Sequence, residues 1–331
     1  MGIQACVVVR TQRLQYQFNT GKQRKNKMAG THFKGAVKFS SATPALQNLN
    51  IGNWPDQVYY MDDFLDHVLN IGGAAGNFWS LINATNCPTT LATLANDGSL
   101  NGEAASVLAG AANDGTLIQS NMNYSTPSTK GNRLYFECRT KLTTIAAGVF
   151  QGGPNTFWGM AEEGATRGST FGAAVTSLIG FKSLAGALQL TVCVKSPNGA
   201  EIQLTPTDAN LVALGTMAAN TFVTLGFEVV NSPATAANGN VKTSAVNYYV
   251  NRQLYATAFT RTAGGVSTSQ IVAGTQSGAA VAYDAFPATG TAAQRMGMTW
   301  DIIATIAAAN TLTSDYFMAS QDRGITYAPT N

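Results

Sequence analysis

The sequence predicts an all-β protein built from antiparallel strands. Apolar and polar residues alternate in TFVTLGFEVV (221–230) and in VNYYVNRQLYATAF (246–259), so the apolar side chains of each segment fall on one face of a strand. Inside the second segment, Asn251 tolerates the positive φ of a two-residue hairpin turn, and Arg252 follows where glycine would be easier. The second segment therefore predicts a tight β-hairpin.

The composition fits a folded protein with an unusually neutral surface. Apolar residues make up 45% of the 331 residues, which is enough for a core, and only 11% are charged. In an average soluble protein, roughly a quarter of the residues are charged. Alanine, threonine, glycine, asparagine and serine take their place in this chain. Such a surface suits a protein that packs against many copies of a partner, and it suits a free cytosolic enzyme less well.

Positive charge is concentrated at the start of the chain. Residues 1–55 hold eight basic residues and no acidic one, whereas the remainder holds twelve basic and seventeen acidic residues. The eight are Arg10, Arg13, Lys22, Arg24, Lys25, Lys27, Lys34 and Lys38. We interpret residues 1–54 as an extended basic arm that docks on an acidic protein surface or on a nucleic acid, with a solvated tail as the alternative.

One helix is predicted, from Pro55 to about Leu69, within a connector of residues 55–72. Proline suits a first helical position, and apolar residues recur at helical spacing until a Gly-Gly pair ends the pattern. The stretch also carries four polar residues with atoms suited to a metal or acid–base site, namely Asp62, Asp63, Asp66 and His67. A solvated helix face is the favoured interpretation, so no metal and no cofactor is expected.

The remainder, residues 73–331, is predicted to form one sandwich of two antiparallel sheets. In RLYFECRTKL (133–142), Leu134, Phe136 and Cys138 point inward while charged residues point outward, as in a half-buried strand. Further strand-like segments follow at intervals of roughly ten to fifteen residues with turn signals between them. They are TFWGMAEE, SLIGFK, LQLTVCVK and EIQL. A stretch rich in glycine, alanine and threonine near 261–294 is predicted to be an insertion.

The cysteines and the apolar runs argue against several classes of protein. Cys6, Cys87, Cys138 and Cys193 show no C-x-x-C spacing, so no disulfide is assigned. Cys138 is expected in the core because it lies on the apolar face of its strand. The first residues lack the pattern of a secretory signal, and no apolar run approaches the roughly 18 residues of a membrane-spanning helix.

The order of the strand-like segments resembles that of concanavalin A-like jelly-roll domains, which occur in legume lectins, laminin G modules and some glucanases. The resemblance is carried by RLYFECRTKL, LIGF, LQLTVCV, TLGFEVV and VNYYVNRQLYATAF. The last segment is similar to the pattern V-x-F-Y-V-N-G-x-x-V-A, with Arg252 in place of the glycine. DYFMASQDR (315–323) is similar to the end, and THFKGAVKFSS (31–41) to the start, of tailed-bacteriophage virion proteins that contain this domain.

The glucanases that contain this kind of domain use paired carboxylates on one strand as acid and nucleophile, in the pattern E-x-D-x-E or E-x-D-x-x-E. Neither spacing occurs in this sequence. Glu162 and Glu163 are adjacent, so a strand would direct them to opposite faces. A nucleophile–histidine pair would need His32, in the basic arm, or His67, on the predicted helix. We therefore predict that the protein is not an enzyme.

Glycan binding is a second interpretation that the resemblance implies, because lectins of this fold use aromatic platforms and an Asp/Asn calcium cluster. Trp158, Tyr248 and Tyr255 are the candidate platform residues, although each is equally suited to packing between sheets. The sequence offers no compact Asp/Asn cluster for calcium. Nucleic-acid binding through the basic arm is a third interpretation. It is less favoured because no residue beyond the arm is suited to reading bases.

These features together predict a structural protein of a bacteriophage virion, specifically a capsid decoration (cement) protein. The basic arm would bind the lattice of the major capsid protein, and the jelly roll would be displayed on the capsid surface after synthesis in the host cytoplasm. The neutral surface favours self-association as a dimer or trimer. The alternative is a head-fibre or tail-associated protein that binds a host glycan. No membrane association is predicted.

Overall fold

The structure is a computed structural model that describes part of the chain. The residues described are 57–62, 79–83, 104–108, 110–121, 124, 133–162, 171, 175, 177–195, 200–231, 244–263, 266–273 and 296–322. The predicted basic arm, residues 1–54, lies outside these ranges. Within them, no helix is long and apolar enough to cross a membrane.

Strands dominate the described residues. The first eight are β1 (Gln57–Asp62), β2 (Trp79–Asn83), β3 (Ala104–Leu108), β4 (Gly115–Ser120), β5 (Arg133–Leu142), β6 (Ile145–Ala146), β7 (Val149–Phe150) and β8 (Asn155–Glu162). The others are β9 (Leu178–Ser183), β10 (Thr191–Lys195), β11 (Ile202–Leu204), β12 (Val223–Asn231), β13 (Ser244–Val250), β14 (Gln253–Ala263), β15 (Val266–Ala273), β16 (Met296–Ile303) and β17 (Asn310–Asp322). A helix, α1 (Ala209–Gly215), begins at Asp208, whose carboxylate caps it.

The strands form two large antiparallel sheets. The eight-stranded sheet has the order β1-β17-β5-β12-β13-β14-β15, with β3 also paired to β17. The seven-stranded sheet has the order β11-β10-β9-β8-β16-β4-β2, and β6 and β7 form a separate hairpin. Many neighbouring strands are far apart in sequence, as expected when a long chain wraps around two sheets. The predicted fold class, an all-β jelly-roll sandwich of two antiparallel sheets, is confirmed.

The core lies between the two sheets and is rich in aromatic side chains. Phe136 of β5 stacks on Phe227 of β12 with ring centroids 5.1 Å apart. Across the sheets, Trp300 of β16 stacks on Phe317 of β17 at 4.6 Å. All four side chains are buried. Because fully burying a large apolar side chain stabilises a fold by about 1.5–3 kcal/mol, these contacts hold the sheets together.

A smaller apolar cluster lies on the other face of the seven-stranded sheet. It contains Leu117, Phe157, Ala161, Phe171, Val175, Leu178 and Cys193. Cys193 belongs to this cluster because its neighbours Val192 and Val194 point into the main core. Burial raises the pKa of the Cys193 thiol to about 12. The alternation of side chains along β10 therefore explains a buried cysteine on the face away from the main core.

The predicted hairpin turn at Asn251 and Arg252 is confirmed. The two residues have φ angles of 47° and 64°, as in a type I′ turn between β13 and β14. The side-chain oxygen of Asn251 accepts a hydrogen bond from the backbone N–H of Thr224 at 3.0 Å. This bond fixes the turn against β12, which precedes β13 in the chain.

The structure corrects the predicted helix from Pro55 to Leu69. Residues Gln57–Asp62 form strand β1 and pair along their whole length with β17. The partner strand lies more than 250 residues away in sequence. The local spacing of apolar residues therefore carries no information about this pairing. Tertiary pairing therefore overrides a weak helical periodicity. Residues 63–72 of the predicted connector lie outside the described residues.

Part of the stretch predicted to be an insertion is regular. β14 continues to Ala263, and β15 (Val266–Ala273) returns beside it to form the edge of the eight-stranded sheet. The small residues of this stretch therefore lie in an extended hairpin up to Ala273. Residues 274–294 fall outside the described part of the chain.

Candidate functional site

Three arginine–carboxylate pairs cross the outer face of the eight-stranded sheet, which is turned away from the core. The pairs are Arg133 with Glu228, Arg252 with Glu137, and Arg139 with Asp315. We call these six residues the arginine stripe. The arginine side chains are about two-fifths exposed (40–42%), whereas the carboxylate side chains are at most 8% exposed. The stripe therefore presents positive charge to solvent and keeps its negative charge beneath.

Strand alternation places the stripe on this face. In β5 the even-numbered residues from Leu134 enter the core, so Arg133, Glu137 and Arg139 point outward. Glu228 of β12 is paired in register with Tyr135 of β5. Apart from Arg252, which comes from the β13–β14 turn, the stripe thus uses outward positions of the central strands β5, β12 and β17.

Glu137 is the central carboxylate and is only 2% exposed. Its Oε2 accepts a hydrogen bond from the Tyr135 hydroxyl at 2.6 Å, and its Oε1 accepts from the Tyr316 hydroxyl at 2.5 Å. Arg252 Nη2 donates to the same Oε1 at 3.2 Å. Three donors replace the water that burial removes. Burial, followed by the charge of Glu137, raises the pKa of both tyrosines well above its usual value, so they remain donors at neutral pH.

Glu228 anchors the next pair. Its Oε1 lies 2.8 Å from Nη1 of Arg133, and the side chains of Tyr249 and Asn247 also hydrogen-bond to it. Burial raises the pKa of the Glu228 carboxyl, and the nearby Arg133 cation offsets this only in part. Burial and the charge of Glu228 raise the pKa of Tyr249 to about 12. Two adjacent buried carboxylates, Glu137 and Glu228, therefore sit among tyrosine hydroxyls.

The third pair lies beside an aromatic ring. Arg139 forms an ion pair with Asp315 of β17, and its Cζ lies 4.3 Å from the centroid of the Phe222 ring. Lys141 Nζ lies 4.3 Å from the same centroid. Cation–π contacts of this kind stabilise by about 0.5–1 kcal/mol at exposed sites. The Phe222 ring therefore holds two cations at the end of the stripe.

The predicted glycan platform is wrong. Trp158, Tyr248 and Tyr255 have no exposed surface, so none can stack on a sugar. Each instead donates a hydrogen bond from its polar end across the sandwich. Trp158 Nε1 donates to Thr140 Oγ1 at 3.2 Å, and the hydroxyls of Tyr248 and Tyr255 donate to the backbone carbonyls of Cys193 and Leu190 at 2.8 and 2.7 Å. The three residues are core residues that tie the two sheets together.

The other predicted site residues are not brought together in the described part of the chain. The eight basic residues of the arm, from Arg10 to Lys38, lie outside it, as do Asp63, Asp66 and His67. The Asp62 carboxylate accepts a hydrogen bond from Trp79 Nε1 at 2.8 Å. No group of three or more His, Cys, Asp or Glu side chains that could hold a metal ion occurs among the residues that the structure describes.

Sequence reasoning missed the arginine stripe, although two signals were present. Arg133, Glu137 and Arg139 alternate with apolar residues in RLYFECRTKL, a pattern that predicts only the exposed side of a strand. Their partners come from distant segments, since the two residues of each pair are 95, 115 and 176 positions apart. The unusual Arg252 at the turn was the second signal.

The chain matches no protein family model and no curated protein, but solved structures resemble it. A protein of unknown function from Shewanella oneidensis MR-1 is 14% identical with a TM-score of 0.46, over 81% of this chain and 87% of that one. An endo-1,3-beta-glucanase from Streptomyces sioyaensis is 14% identical with a TM-score of 0.45, over 81% and 97%. Peanut lectin is 10% identical with a TM-score of 0.42, over 80% and 97%. At these identities the likeness concerns the fold alone.

The prediction that the protein is not an enzyme is contradicted at the level of the fold: the solved structures that resemble the chain include endo-beta-glucanases. The missing E-x-D-x-E spacing excluded only carboxylates arranged along one strand. It did not exclude carboxylates brought together from neighbouring strands. Glu137 of β5 and Glu228 of β12 are carboxylates on neighbouring strands, and each forms an ion pair with an arginine.

Proposed function

We propose that the protein is a structural component of a bacteriophage virion, specifically a capsid decoration protein that binds the major capsid protein through residues 1–54. The observation that carries this proposal is the segregation of charge along the chain. Residues 1–55 have eight basic residues and no acidic one. These cations have no carboxylate within their own segment, so they favour an acidic partner surface.

Several cations of the jelly roll, in contrast, form ion pairs within the domain, which supports the proposal. Arg133, Arg139, Lys182 and Arg252 each form an ion pair with a carboxylate of the same domain. The sandwich therefore compensates these charges internally, whereas residues 1–55 hold eight basic residues and no acidic one. In this proposal the segment docks on the capsid and the sandwich is displayed outside, as a dimer or trimer.

Attachment would depend on repetition. A capsid presents many equivalent copies of its major protein, so a decoration protein that self-associates can hold several of them at once. When several binding modules are linked in one assembly, the overall affinity rises by orders of magnitude although the individual contacts are unchanged. The electrostatic part of each contact weakens as salt rises, because exposed charges are screened over about 8 Å at physiological ionic strength.

The test is co-sedimentation of the purified protein with undecorated heads of the phage that encodes it, across a salt series. We expect saturable binding at a fixed number of copies per head, weakening with salt. Deleting residues Met1 to Lys27 should leave the jelly roll folded, as judged by circular dichroism, and should reduce retention on the heads. Unchanged retention after the deletion would overturn docking through the arm, and absence of binding would overturn the decoration function.

Glycan binding at the outer face of the eight-stranded sheet is the second candidate, and the arginine stripe favours it. Exposed guanidinium groups stand beside the half-buried hydroxyls of Tyr249 and Tyr316, a combination that can hydrogen-bond to sugar hydroxyls and carboxylates. A glycan array with the purified jelly roll tests this function. Binding that disappears when stripe arginines are replaced would support it, and a blank array would remove it.

A further inference from the structure

We propose that the arginine stripe is a binding site for acidic glycans, meaning sugar chains that carry carboxylates such as uronic acids. This inference rests on the second candidate function and names the class of ligand. The stripe is the place where the described part of the domain presents several cations side by side, each held on a buried carboxylate. An acidic ligand would meet the exposed guanidinium groups first.

The three pairs follow a diagonal across the sheet. Glu228 is on β12 in register with Tyr135, Glu137 is two residues further along β5, and Asp315 lies on β17 just before Tyr316, which pairs with Arg139. Each step crosses one strand and moves about two residues, so successive pairs are separated by about 8 Å. This regular spacing suits an extended polymer lying across the strands better than one small ion.

The chemistry of the stripe suits carboxylates. A guanidinium group is planar and presents its donors in a fork that matches the two oxygens of a carboxylate. Glu137, Glu228 and Asp315 fix the orientation of the arginines before any ligand arrives, which lowers the entropy cost of binding. The half-buried hydroxyls of Tyr249 and Tyr316, which donate to Glu228 and Glu137, add oxygen acceptors for sugar hydroxyls.

A single-stranded nucleic acid is a poorer match for this surface. Binding of that kind depends on aromatic faces on which bases stack, and Tyr135 is only 5% exposed with its hydroxyl bonded to Glu137. The stripe therefore favours a ligand with separated carboxylates and many hydroxyls.

The test is isothermal titration calorimetry with the full chain and three probes: an oligogalacturonate, the same oligosaccharide with its carboxyl groups reduced, and oligothymidylate. We expect the acidic sugar to bind at least about tenfold more tightly than the reduced one, since the lost contacts are charge-assisted. Replacing Arg133, Arg139 or Arg252 by lysine keeps the charge and removes the planar fork. Each substitution should weaken binding by roughly three- to tenfold.

The matched control is Lys195→Gln, which removes one cation from the seven-stranded sheet and should leave binding unchanged. Equal binding of the acidic and reduced sugars would overturn the preference for acids while leaving glycan binding intact. Binding of neither sugar would overturn both. Two results would show that the stripe is not an acidic-glycan site. One is tight binding of the oligogalacturonate that the lysine variants do not weaken, and the other is tighter binding of oligothymidylate than of the oligogalacturonate.

Discussion

Arg252 donates a hydrogen bond to Glu137 at 3.2 Å although the two residues are 115 positions apart. Arg252 stands in a hairpin turn with a φ of 64°, and Glu137 is buried on β5. Strand β12 lies between them, and the residue of β12 that is paired with Glu137 is Gly226, which has no side chain to obstruct the contact. The arginine that disfavours the turn thus supplies the cation for a buried carboxylate.

Replacing Arg252 by glycine is expected to destabilise the fold. Glycine adopts the positive φ of the turn more easily, which favours the variant by about 1 kcal/mol. The loss of a partner for a carboxylate that is only 2% exposed costs more, about 2–3 kcal/mol. Urea unfolding should therefore show a net loss of roughly 1–2 kcal/mol in the free energy of unfolding.

A double-mutant cycle provides the control for this prediction. When Glu137 is replaced by glutamine, the charge that Arg252 compensates is gone, so Arg252→Gly should cost less in that background. An equal loss of stability in both backgrounds would mean that the arginine acts through the turn and not through the carboxylate.

The stability of the protein should depend on the protonation of Glu228. Its pKa is raised above the usual 4.5 by burial, so the folded protein holds this proton to higher pH than the unfolded chain. The free energy of unfolding therefore falls as pH rises from about 4.5 through the raised pKa. Glu228→Gln removes this dependence, so wild type should lose stability relative to the variant between pH 4 and pH 7. A relative gain by wild type would show that the Arg133 ion pair outweighs burial.

Several tyrosines should not ionise in the folded protein near pH 10. Burial raises the pKa of the hydroxyl groups of five of them, Tyr124, Tyr135, Tyr249, Tyr255 and Tyr316. Because their neutral forms are favoured in the folded state, the free energy of unfolding falls as pH rises above 10. Absorbance at about 295 nm should show at least five phenols missing from the native titration compared with the chain in urea.

The variant Tyr124→Phe is a control for the tyrosine titration. The Tyr124 hydroxyl is buried and has no hydrogen-bond partner among the described residues, so its removal should change stability by less than about 1 kcal/mol. The variant should also reduce the delayed ionisation by one phenol. A native titration in which all eleven tyrosines ionise near pH 10 would contradict the buried positions.

Gly159 and Gly180 are expected to tolerate no side chain. They are paired across β8 and β9, and an added Cβ would lie 2.1 Å from the Ile179 carbonyl oxygen or 2.3 Å from that of Trp158. The free energy of unfolding of either alanine variant should fall by about 3 kcal/mol or more, because the added Cβ clashes with backbone atoms. Gly148→Ala is the control, since its Cβ meets nothing within 4 Å and only its φ of +80° is unfavourable, at about 1 kcal/mol. Equal losses in thermal unfolding would contradict the steric argument.

The sequence predicted the elements whose patterns are local. Alternation in RLYFECRTKL and in the hairpin segment gave the correct strands, and Asn251 marked the turn. The same alternation placed Tyr248 on the face of Val246 and Val250, which is a core face. That signal was sufficient to reject Tyr248 as a glycan platform, because aromatic residues with apolar neighbours at period two are buried.

Only the tertiary structure decided which strands are neighbours, and the candidate site depends on that choice. Local alternation tells which residues share a face of one strand but does not tell which strand lies beside it. β1 became a strand because β17 pairs with it, and the arginine stripe exists because β12, β17 and the β13–β14 turn bring their side chains to β5. Local patterns in the sequence were enough to predict an antiparallel sandwich and a basic N-terminal segment. The sheet order determined which charges meet, since every pair in the stripe joins residues at least 95 positions apart.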